Sequence, residues 1–312
     1  LRRPRFGSRR TPPRNRALVA AFGILADTEV TMDDWATFAQ TTPLLAAAVA
    51  TLASGWIATS AGAVPALVLP RVGRATSTVL ISLAAGVMLG AAIFALLVPA
   101  LEGAGDAIAD PVAATAGVTA ALLFGALLLH AANRWLPHEH FVKGRERRDG
   151  DAGQEQSPTA FPRAVLFAVA IAIHNFPEGL SVGIGAASGD AALTGTLIVA
   201  MALQNVPEGL VVAVGLRAAG FGRVRAFALA SATGLVEVLG GAAGGASLAL
   251  SSQLLPWALA FAAGAMLYVI SDEIIPESHR PGFENRATAS LFTGLALFLM
   301  LDALIQRWAA QP

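Results

Sequence analysis

The chain has no cysteine, one lysine (Lys143) and one tyrosine (Tyr268) in 312 residues. Without cysteine there are no disulfides, no thiolate metal sites and no dithiol redox chemistry. The single lysine does not follow a glycine-rich GxxxxGK stretch, which excludes an ATP-driven pump built on that phosphate-binding loop. Charge is scarce as well: charged residues make up 13% of the chain, hydrophobic residues 55%, and mean hydropathy is +0.63. Those proportions describe a polytopic membrane protein. Membrane lipid is its expected surrounding, and no nucleic-acid partner is expected.

What is present is unevenly placed. Residues 1–41 form an N-terminal tail that opens with seven arginines and three prolines in residues 1–16. A short apolar run, Ala17 to Ala26, follows, and ten residues are too few to span a bilayer. Two readings stay open: a signal-like n- and h-region, or a misassigned start with Met32 as the true beginning. From residue 42 the pattern is regular. Apolar stretches at 42–69, 76–100, 111–133, 161–184, 193–215, 224–250, 255–271 and 288–305 predict eight membrane-spanning helices, with a short tail at 306–312. The expected fold class is therefore all-α. Alternate connections carry thirteen Lys and Arg between them, whereas the loops at 101–110, 185–192 and 251–254 carry none. Positive charge marks the cytoplasmic side, so both ends of the bundle are expected outside.

The longest connection, 134–160, is polar and cytoplasmic on this orientation. It contains His138-Glu139-His140, which reads either as a loose metal-capture motif or as a solvated linker.

Within the bundle one six-residue phrase occurs twice. It reads His174-Asn175-Phe176-Pro177-Glu178-Gly179 and returns as Gln204-Asn205-Val206-Pro207-Glu208-Gly209. Each copy sits near the middle of a predicted span. A carboxylate at that depth costs roughly 2.5–3.5 kcal/mol on insertion scales, so each glutamate is a candidate functional residue. Spacings of three and four put His174, Asn175 and Glu178 on one helix face, and Gln204, Asn205 and Glu208 on one face of the next. Pro177 and Pro207 offer no N–H to the carbonyls of Ile173 and Leu203, a break tolerated at membrane depth where freed backbone faces a cavity or an ion. The two helices run in opposite directions, so the phrases form an inverted pair, as in many transporters with a midplane site. Glu237, near the centre of the sixth span, adds a third carboxylate. Imidazole with carboxylate suits Zn²⁺, Fe²⁺, Mn²⁺, Co²⁺ or Cd²⁺ better than Ca²⁺ or Mg²⁺.

At these residues the sequence resembles the ZIP (Zrt-, Irt-like protein) family of divalent metal transporters, bacterial type. The resemblance covers 42–305 and implies zinc uptake into the cytoplasm across the plasma (inner) membrane, without catalysis. It also implies a binuclear centre. His174, Glu178, Gln204 and Glu208 would hold the first metal with Met88 as a soft fifth ligand, and Asn175, Glu178, Asn205, Glu208 and Glu237 the second. Position 205 departs from relatives that carry Asp there; Asn supplies one negative charge fewer, so a weaker second site is expected. Glu102, Asp106, Asp110, Asp190 and Asp302 are candidates for concentrating cations at the outer face. Asp272, Glu273, Glu277 and His279 form a candidate exit cluster after the seventh span. Family members often dimerise, which makes a homodimer the implied protein partner. The competing classes are an intramembrane metallohydrolase and a metal sensor that does not transport. The hydrolase reading wants His-Glu-x-x-His on a helix, which this chain lacks.

Overall fold

The computed structural model describes residues 32–69, 73–135, 139–140, 144–145, 160–279 and 281–310. Nine helices account for nearly all of them: α1 (Met32–Thr41), α2 (Pro43–Leu67), α3 (Arg74–Ala107), α4 (Pro111–Trp135), α5 (Ala160–Ser188), α6 (Ala191–Ala218), α7 (Arg223–Leu250), α8 (Ser252–Ser278) and α9 (Glu284–Ala309). A two-residue antiparallel ladder, Glu139–His140 against Gly144–Arg145, is the β-structure among the described residues. Among the described residues, seven helices (α2, α3, α4, α6, α7, α8 and α9) are long and apolar enough to cross a membrane. The basic tail up to residue 31 and His138 lie outside the described residues.

Local chemistry explains most helix ends. Pro43, Pro111 and Pro256 occupy first-turn positions, where a missing N–H costs nothing. Asp190 caps α6 by accepting a hydrogen bond from the Leu193 N–H at 2.9 Å. α5 and α6 stop at Gly189 and Gly220, whose φ of +80° and +98° fit the left-handed turn that closes a helix. Two helices run further than their hydropathy implies. α3 continues through Pro99 to Ala107, and α8 through Pro276 to Ser278. Neither proline ends its helix because each lies just past a wide π-type turn, Ala91–Leu97 in α3 and Ile270–Ile274 in α8. Those turns absorb the N–H that Ala95 and Asp272 do not receive. Residues 32–41, just ahead of the first span, also form a helix. Trp35, Phe38 and Ala39 lie three and four apart and bury one face of α1 against the bundle.

The helices pack as two groups. α2, α5, α6 and α7 form one; α3 with α9 and α4 with α8 form the other. Glycine sets how closely each group closes up. Gly179 and Gly183 of α5 lie against the backbone of Glu237 and Gly241 in α7, while Gly240 and Gly244 return the contact to Phe176 and Leu180. Gly62 and Gly209 do the same between α2 and α6, Gly86 and Gly294 between α3 and α9, and Gly125 and Gly264 between α4 and α8. A Cβ at any of these would overlap facing backbone, so the pairs are locked by helix-to-helix contact that only glycine allows. Across the seam between the groups the junction is made by side chains instead.

Candidate metal centre

The repeated phrase lies on α5 and α6, inside the first group and facing the second. Asn175, Glu178 and Asn205 are fully buried, and His174 and Gln204 nearly so. Glu237 joins them from α7. That helix is interrupted at Gly234, which packs on Thr59 and on the Trp56 backbone of α2. The break puts Glu237 in the first turn of the segment that follows, where its carboxylate meets the favourable end of the helix dipole. Gly55, in a π-type turn of α2 (Leu52–Ile57), gives the Glu237 carboxylate room: a Cβ there would stand 2.6 Å from it.

Two polar partnerships are already made. The Asn205 side-chain amide donates to the Ser54 carbonyl of α2 at 2.8 Å and to both Glu237 carboxylate oxygens at 2.9 and 3.0 Å. His174 Nε2 meets Glu273 Oε2 of α8, joining the two helix groups. The rest of the cluster is unsatisfied. Both carboxylate oxygens of Glu178, both side-chain polar atoms of Gln204 and of Asn175, Asn205 Oδ1 and Glu208 Oε1 are buried without a hydrogen-bond partner. Gln204 stands beside Glu178, and Asn175 and His174 stand beside Glu208. An unsatisfied buried polar group costs about 1–3 kcal/mol, and more when charged. So many in one place, most of them oxygens, fit a cation that is held by N and O ligands. Among the described residues, no three His, Asp or Glu side chains converge tightly enough to grip a metal as they stand. As they stand, His174 is engaged with Glu273 and Glu237 with Asn205.

The structure gathers the whole motif set and separates the outlying candidates. Met88 is buried in α3, in a stretch that meets α6 and α8. Glu102, Asp106 and Asp110 are exposed near the α3–α4 connection, and Asp110 accepts from the Val112 N–H at 3.0 Å, which starts α4. Asp190 is the α6 cap, and Asp302 accepts from the Thr196 hydroxyl at 3.0 Å, tying α9 to α6. Glu273, expected in an exit cluster after the seventh span, is 5% exposed inside α8 at His174. Its neighbour Asp272 accepts from the Asn133 amide and the Tyr268 hydroxyl, both at 3.2 Å, and His130 lies 3.3 Å from that hydroxyl. His279 Nδ1 lies 3.1 Å from the Ile275 carbonyl, and Glu277 shares that short terminal turn. His140 belongs to the two-residue ladder. Sequence reasoning missed Ser54, Gly55 and Asn133. A Ser-Gly pair in an apolar span is a signal for close approach, but nothing in it points to Asn205 or Glu237.

Comparisons with known proteins match most of the chain. The family model described as ZIP Zinc transporter matches residues 131–302, which contain both copies of the phrase and Glu237. The chain is 44% identical to a protein named zinc transporter GufA from Myxococcus xanthus, over 81% of this chain and 96% of that one. It is 40% identical to one named zinc transporter ZIPB from Bordetella bronchiseptica, over 81% and 79%. A zinc transporter ZupT from Corynebacterium aurimucosum is 32% identical over 72% of this chain and 84% of its own length.

Proposed function

Because the chain belongs to the ZIP family, we propose that it carries divalent transition-metal ions, zinc first, from outside into the cytoplasm through a binuclear centre at the membrane midplane. Fe²⁺, Mn²⁺, Co²⁺ and Cd²⁺ satisfy the same donor chemistry and are the competing substrates. The observation that carries this reading is the concentration of unpartnered buried oxygen on the two copies of the phrase. A protein that kept those groups for stability alone would have paired them.

In the working arrangement α2 to α9 are eight spans. α5, 29 residues long, takes its place with the seven apolar helices, and the charge of the connections sets both ends of the bundle outside. The first ion is held by His174, Glu178, Gln204 and Glu208, with Met88 as a soft fifth ligand. The second uses Asn175, Asn205 and Glu237, the two phrase glutamates bridging. The reciprocal placement of Gln204 by Glu178 and of His174 by Glu208 supports an inverted pair of half-sites. The second site is the weaker one. An aspartate at 205 would add charge for a cation to neutralise, whereas Asn205 already supplies Glu237 with N–H donors.

Transport follows from the two-group packing. Glycine locks helices within each group, while side-chain contacts join the groups. Movement of one group against the other would expose the centre to each side in turn. His174 must leave Glu273 to take the ion, which couples loading to this seam. The test is radiolabelled zinc flux into proteoliposomes. Saturable uptake that is lost in Glu208→Ala and His174→Ala supports transport; binding without uptake in the native chain identifies a sensor, and neither binding nor uptake rejects the reading.

A further inference from the structure

We propose that a groove behind the repeated phrase seats one acyl chain of a membrane phospholipid. On α5, residues advance about 100° each, so Ile173, Phe176 and Pro177 point away from the face that carries His174, Asn175 and Glu178. On that reverse face a cavity of about 520 Å³ opens between α4, α5 and α8. Leu128 and Ala132 of α4 form one wall, and Phe261 and Ala265 of α8 the other. Val236 of α7, next to Glu237, closes one end.

Three observations select the occupant. Every side chain lining the groove is apolar, so a peptide, headgroup or metal placed there would keep its polar groups unsatisfied. The volume falls in the range of about 300–1,000 Å³ typical of small-molecule sites, which exceeds a packing defect. The groove is also continuous with lipid-facing surface. Leu128 lines it and belongs to an outward strip of α4 with Leu123, Phe124 and Leu127, all about half to two-thirds exposed. Hydrocarbon tails that cover this strip therefore meet the groove at Leu128. The seat lies where α5 and α7 of one helix group meet α4 and α8 of the other, so a chain lodged in it touches both groups and the back of the metal-ligand helix. Bilayer composition thereby reaches the part of the protein that must move.

The test uses the full chain in vesicles of phosphatidylcholine carrying a photoactivatable diazirine at mid-chain, with labelled positions read by mass spectrometry. It needs no zinc, so its outcome is independent of the transport reading. Label is expected on Phe176 and Ile173 as well as on the exposed residues Phe292 and Met300 of α9. In Ala172→Phe and, separately, Ala132→Phe, label on α5 is expected to fall about tenfold, the factor set by a modest loss of affinity, while label on α9 stays unchanged and reports correct insertion. Label confined to Leu123, Phe124 and Leu127 would overturn the proposal. So would α5 label that survives both filling substitutions. α5 label that appears only when the protein is diluted to monomer would assign the groove to a second copy of the chain, and would equally overturn it.

Discussion

Asp190, in the tight connection between α5 and α6, and Glu178, well inside α5, represent opposite uses of a carboxylate. Asp190 is exposed and accepts a backbone hydrogen bond that starts α6; Asp110 does the same for α4, and Asp302 holds the Thr196 hydroxyl. Each of these three carboxylates has a protein partner and a structural consequence. Glu178, Gln204 and Asn175 have polar atoms that are buried and bonded to nothing in the protein. Location alone does not separate the sets, since both lie in or beside membrane helices. Partnership does. A buried acceptor left open is a standing cost that only a ligand relieves, whereas a capped helix end is complete.

Substitutions can break that contrast, and the largest effect belongs to the centre. Glu178→Gln is expected to lower zinc flux beyond the ~10–100-fold loss typical of residues that merely support a metal ligand. In metal-free protein it should leave thermal stability unchanged or raised, because a buried charge without a partner is removed. Zinc should raise the unfolding temperature of the native chain and not of this variant. A variant that unfolds more easily while still transporting would place Glu178 with Asp190.

Asn205→Asp sharpens the comparison from the other side. It takes the N–H donors from Glu237 and the Ser54 carbonyl, so metal-free protein should lose about 1–3 kcal/mol of stability. Metal titration should then show a tighter second ion that restores the loss. An unchanged second affinity would mean that charge at 205 does not govern that site. Asp190→Ala should cost about 1 kcal/mol through the lost cap, measured by thermal unfolding, with flux per folded molecule unchanged. The smallest effect is expected of Thr196→Val, about 0.6 kcal/mol, the average for one interhelical side-chain bond in a membrane bundle.

Much of this was legible in the sequence. Helix existence followed from apolar length, and the shared faces of His174, Asn175 and Glu178 followed from spacing, because helical geometry fixes which side chains are neighbours. Two kinds of feature were not. Glu273 read as one of four residues in an exit cluster beyond the seventh span, because hydropathy does not show that a wide turn carries α8 through Pro276. Its meeting with His174 depends on how α5 and α8 pack, a long-range fact. The Ser54 carbonyl was invisible for a simpler reason: every residue has a carbonyl, and only the fold says which one Asn205 reaches. The role of the outer aspartates was also ambiguous in sequence, where a helix cap and a cation-attracting patch use the same residue type.

Equilibrium zinc binding to the purified native chain and to the double variant Glu178→Gln/Glu208→Gln tests the central claim most directly. Saturable binding in the first and its loss in the second, with both proteins folded, is the expected result. Equal binding by the two would show that the open buried oxygens are not what holds the metal.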